Sequence, residues 1–217
     1  MISENLVEVL KEIPHNVTLV AVSKTKPIEA IEEAYLAGQR HFGENKVQEL
    51  VAKHEKLSKD INWHLIGHLQ TNKVKYVAPF VHLIHAVDSE KLLLEIDKQA
   101  HKNNRIIDVL LQFHIAQEDT KFGLSMGECK LLLKNSISFL NTRIIGVMGM
   151  ASFVDDEDQI RNEFKTLRNI FNELKSQYFG DVPYFSTISM GMSGDYSLAI
   201  EEGSTMVRVG SAIFGTR

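Results

Sequence analysis

Val17-Thr-Leu-Val-Ala-Val-Ser23 is the stretch on which the reading of this chain turns. It is apolar and β-branched, too short for a helix and suited to a strand buried on both faces. Pro27 follows, a good first helical residue, and Ile28, Ile31 and Ala34 continue at helical spacing to a stop at Gly38. A doubly buried strand leading straight into an amphipathic helix is the first half of a β-α unit.

Working outward, the same unit recurs. Upstream, Leu6, Val7 and Leu10 share one face of an opening helix from Ser3 to Glu12. Downstream, further strands are expected at His41-Phe-Gly43, Trp63 to Ile66, Val81 to Val87, Ile106 to Ile115, Ile144 to Met148, Pro183 to Ile188 and Thr205 to Val209. Helices separate them, among them one capped at Asp88-Ser89 and a long one from about Asp156 to Tyr178. About eight strands alternating with helices predict a closed (β/α)8 TIM barrel. An open doubly wound sheet would pattern similarly, but eight is the closing number.

The 217 residues carry no linker or low-complexity segment, so residues 1–217 read as one domain. With 28 acidic against 24 basic side chains the net charge is −4, which argues against nucleic-acid or membrane binding. No apolar run reaches the roughly 20 residues of a membrane span, and the N-terminus lacks a signal-peptide layout. The single cysteine, Cys129, fits a reducing compartment, and a cytoplasmic protein is expected.

Barrel ligand sites lie at the C-terminal strand ends. Lys24 stands there after the first strand, in alternation with Val20 and Val22. An amine at an apolar barrel mouth is desolvated toward its neutral, nucleophilic form, which suits a Schiff base; a solvated or ion-paired lysine is the alternative. Lys26, before Pro27, is the weaker candidate. Ser189-Met-Gly-Met-Ser-Gly-Asp195 and Gly210-Ser211 follow strands seven and eight, where barrels often hold phosphate, though each alone could be a capped turn. Arg208 could face the pocket or form an ion pair. His64, His68, His82 and His85 are read as structural, with no metal-ligand set evident.

Several of these segments together are similar to the YggS/PROSC family of pyridoxal phosphate (PLP)-binding proteins, also called PLP homeostasis proteins. They are Leu19 to Pro27, Phe42-Gly-Glu-Asn45, Trp63 to Gly67 with Leu69-Gln70 and Asn72-Lys73, Lys121 with Gly123, Gly146-Val-Met148, Ser189 to Ser193, Gly203 to Gly210 and Ala212 to Gly215. The resemblance implies a fold like the alanine racemase N-terminal barrel. It further implies PLP as a Schiff base on Lys24, with Asn45 beside the cofactor and Met190 lining the pocket. Ser189, Ser193, Gly210 and Ser211 would bind its phosphate, and Arg208 would approach the ring nitrogen. An arginine there discourages ring protonation and makes the cofactor a poorer electron sink. Departures are a short segment before Val17, His68 where proline is common, and Gly149-Met150-Ala151.

The resemblance implies a PLP carrier that maintains vitamin B6 homeostasis, with PLP-dependent apoenzymes as possible recipients and a monomeric state. The alternative is a PLP-dependent amino-acid racemase. Two-base racemisation needs an acid–base group on each face of the cofactor, and a chain ending at Arg217 leaves none for the extra domain that supplies one in alanine racemase-like enzymes. A Schiff-base aldolase ranks last.

Overall fold

In a computed structural model, residues 1–117, 122–134, 139–180 and 182–216 are described; Lys121 and Arg217 lie outside them. The strands are β1 (Thr18–Val22), β2 (His41–Glu44), β3 (Asn62–Leu65), β4 (Leu83–Val87), β5 (Ile107–Gln112), β6 (Thr142–Met148), β7 (Thr187–Ser189) and β8 (Met206–Val209). They close in sequence order into a barrel whose neighbours are all parallel, β8 returning to β1 through Thr18 opposite Met206. Nine helices surround it among the described residues: α1 (Ile2–Glu12), α2 (Ile28–Leu36), α3 (Val47–Lys56), α4 (Val74–Val77), α5 (Glu90–Lys102), α6 (Met126–Lys134), α7 (Glu157–Leu174), α8 (Tyr196–Glu201) and α9 (Ser211–Phe214). None is long and apolar enough to cross a membrane.

Local chemistry sets the helix ends. Ser89 caps α5 by accepting from the Leu92 N–H at 3.4 Å, and Asp156 caps α7 from Gln159 at 3.1 Å. Pro27 stands one residue earlier than expected, as the cap of α2 rather than its first helical residue. The expected fifth strand is cut to Ile107–Gln112, and the seventh to Thr187–Ser189, because residues 183–184 turn ahead of the barrel wall.

Two apolar layers result from strand alternation. Leu19, Ala21, Phe42, Trp63, Leu65, Val207 and Val209 face outward into the shell between strands and helices. Val20, Leu83, Ala86, Leu110, Met148 and Met206 form a smaller cluster inside the barrel. That inner cluster fills only part of the interior, and the rest is occupied by polar side chains described next.

Candidate ligand site at the barrel mouth

A cavity of about 690 Å³ opens at the C-terminal ends of the strands, a volume suited to a small molecule. Because Val20 points inward, Val22 and Lys24 carry the same face of β1 up to the cavity wall, as the alternation predicts. Asn45, Ser193, Arg208, Gly210 and Ser211 also line it. Of the expected site residues, six therefore converge: these five and Lys24. Met190 does not, since it is buried in the outer shell; Met150 and Met192 line the cavity instead. Ser189 is fully buried at the end of β7 and acts below the cavity, through Arg208.

The two lysines after β1 have different surroundings. Lys26 directs its ammonium to the carbonyls of Phe214, Gly215 and Thr216 at 2.9, 3.0 and 3.3 Å, tying off the end of α9. Lys24 is half-buried in the cavity wall on a braced turn. On one side of it, Ser23 donates to Glu44 Oε1 at 2.5 Å. On the other, the Thr25 N–H donates to Glu49 Oε1 at 2.6 Å, and Thr25 sits in the left-handed region at φ 65°. Lys53 knits the brace together, donating to Ser23 O, Glu44 and Glu49 at 2.8, 2.8 and 2.7 Å. Burial pushes the Glu44 carboxyl up, against the lowering effect of the Lys53 and Ser23 hydrogen bonds. A non-glycine residue held at positive φ costs of order 1 kcal/mol, so the turn persists because this network over-determines it. Sequence reading missed the brace: Glu44, Glu49 and Lys53 are spread over β2 and α3, and nothing in their spacing shows that one ammonium serves both carboxylates.

Arg208 forms the floor. Its Nη1 donates to Ser189 Oγ at 2.6 Å and its Nη2 to Gly149 O at 3.1 Å. Burial lowers its pKa to about 10, which still leaves it charged at neutral pH. The loops after β7 and β8 are joined by the Gly210 N–H donating to Ser193 Oγ at 3.0 Å, and Met192 N–H is held by Asp195 Oδ1 at 2.5 Å. Two glycines make the mouth possible. Gly191 has φ 95°, and a Cβ there would lie 2.6 Å from Ala199 Cβ; a Cβ on Gly67 would meet Asn45 O at 2.5 Å. At the rim His68 pairs with Asp88 at 3.2 Å and stacks on Phe122. Of the histidines read as structural, His64 and His85 are joined to each other in the barrel interior, and His64 also bonds His41.

A lysine, a cationic floor and a corner of hydroxyls and glycines thus meet at the mouth of a parallel eight-stranded barrel, in a cavity of small-molecule size. Residues 1–217 match the family described as alanine racemase, N-terminal domain. The chain is 42% identical over 200 residues to the pyridoxal phosphate homeostasis protein of Aquifex aeolicus, covering 92% of this chain and 86% of that one. It is 38% identical over 211 residues to the protein of that name from Escherichia coli K12, covering 94% and 87%. PipY of Synechococcus elongatus, solved with PLP bound, superposes with a TM-score of 0.90 at 36% identity over 99% of this chain and all of that one. Alanine racemase from Bartonella henselae, 18% identical, shares the fold with a TM-score of 0.77, this chain covering 58% of it. The chain belongs to the alanine racemase N-terminal domain family, among the pyridoxal phosphate homeostasis proteins.

Proposed function

We propose that this protein binds pyridoxal 5'-phosphate covalently, as a Schiff base on Lys24, and serves as a carrier that maintains the balance of this cofactor rather than turning over amino acids. The observation that carries the reading is the division between two neighbouring lysines. Both border the cavity, but Lys26 gives its ammonium to three carbonyls at the end of α9, whereas Lys24 stands on the inward face of the strand, continuing Val20 and Val22 to the wall shared with Arg208 and the loops after β7 and β8.

The residues fit the cofactor. Lys24 supplies the primary amine, in a wall it shares with Val22, Ile66 and Met150. Ser193 and Ser211 offer hydroxyls for a phosphate at the corner closed by the Gly210–Ser193 hydrogen bond, and Asn45 also lines the cavity. Bound PLP supplies an electron sink for carbanions at an amino acid's α-carbon. Arg208, charged and fixed by Ser189 and Gly149, would oppose protonation of a ring nitrogen held beside it and so would weaken that sink. A site that holds the cofactor firmly while blunting its chemistry suits custody and delivery. The names of the relatives point the same way, and PLP-dependent apoenzymes are the natural recipients.

The test separates carrier from racemase. PLP-loaded protein should show the cofactor's visible absorbance yet exchange no α-hydrogen of L-alanine or other amino acids in deuterated water. Exchange at enzymatic rates would make it a racemase-like catalyst.

A further inference from the structure

At the opposite end of the barrel from the cavity, three histidines meet. His41 opens β2, His64 lies within β3, and His82 stands one residue before β4. One ring nitrogen of each lies within 4.8 Å of the others, and the His41 Nδ1 to His64 Nε2 separation is 2.9 Å. We propose that His41, His64 and His82 form a binding site for a divalent transition metal of the zinc class, at the N-terminal end of the barrel and separate from the cofactor cavity.

Two observations support this. The first is geometric. A tetrahedral ion with metal–nitrogen bonds near 2.0–2.1 Å places its ligand nitrogens about 3.3 Å apart; His41 and His64 stand 2.9 Å apart, and all three nitrogens lie within 4.8 Å of one another. His82 is exposed and His41 half-buried, so the ion has an entry path and water can take the fourth position, while buried His64 anchors the site. The donors are all imidazole nitrogens, which select zinc, copper, nickel or cobalt over the oxygen-seeking magnesium and calcium.

The second is support from behind. His64 Nδ1 bonds His85 Nε2 at 2.9 Å, His85 Nδ1 bonds Ser189 Oγ at 3.1 Å, and Ser189 Oγ accepts from Arg208 at 2.6 Å. Ligating histidines characteristically fix their second ring nitrogen in this way. Arg208 can only donate, so Ser189 Oγ keeps its own hydrogen and one lone pair for His85. A metal at His64 Nε2 needs the lone pair of that nitrogen, so in the bound form the His64 proton sits on Nδ1 and donates to His85 Nε2, and His85 Nδ1–H donates to the remaining lone pair of Ser189 Oγ.

The experiment uses full-length protein without a histidine tag, stripped with chelator, and titrates Zn²⁺ calorimetrically and Co²⁺ by its visible ligand-field absorption. One equivalent should bind, with a tetrahedral cobalt spectrum. His82→Ala and His41→Ala, checked by thermal melting to be folded, should each weaken binding at least tenfold, and His101→Ala on the exposed face of α5 should leave it unchanged. No stoichiometric binding would overturn the site. So would binding that persists at the same affinity in both variants, which would place the ion elsewhere. Neither outcome depends on the cofactor reading.

Discussion

Lys24 is given its role by its neighbours. Its strand position was legible from alternation with Val20 and Val22, and the structure keeps that alternation to the cavity wall. What sets it apart from Lys26 was not legible, because the three carbonyls that hold Lys26 come from the far end of the chain. The same holds for Lys53, buried against two carboxylates. Lys53→Met would leave Glu44 buried without its countercharge at a cost of about 3–5 kcal/mol. Protonation of Glu44, which burial already favours, relieves that cost, so the gap between variant and wild type in urea unfolding should narrow as pH falls from 8 to 5. A gap that stays constant with pH would mean Lys53 contributes packing alone.

At the scale of elements, long apolar runs with caps were read well: β1, the Ser89 cap of α5 and the long α7 all stand where pattern and capping chemistry put them. Short strands fared worse. β7 is three residues, too few to show a period, and its apparent start at Pro183 belongs to a turn. The placement of Met190 went astray for a related reason: it follows Ser189, so alternation turns it into the outer shell. The loop after β7 makes its own prediction. Gly191→Ala must place a Cβ against Ala199 and the Tyr196 backbone at φ 95°. It should destabilise the protein by about 1–3 kcal/mol and weaken PLP binding in an absorbance titration, because this loop carries Ser193. Unchanged PLP affinity would exclude the loop from the binding corner.

The whole molecule was the most legible level, since eight repeats of one unit admit few closed arrangements. The interior was the least legible. Barrel cores are ordinarily layers of branched apolar side chains, and periodicity cannot tell an inward histidine from an inward leucine. Here His41, His64 and His85 replace part of that packing with a hydrogen-bonded line from the base to Arg208. Buried acids elsewhere couple the fold to alkaline pH. Burial pushes the Cys129 thiol up to about 12 and, with the Glu12 hydrogen bond, the Tyr196 phenol to about 12. A raised folded pKa gives stability that is complete below the unfolded value, near 9 for the thiol, and lost as pH climbs toward 12. By pH 10.5 the thiol alone should cost about 2 kcal/mol relative to pH 8. Cys129→Ala should flatten that part of the pH profile of thermal stability, and an equally steep profile would show that Cys129 ionises alike in both states.

The central claim concerns one bond, and one measurement reads it directly. Protein loaded with PLP is reduced with borohydride, digested, and the pyridoxyl-lysine located by mass spectrometry. The account predicts the label on Lys24 and none on Lys26; a label on Lys26, or on no lysine at all, would contradict it.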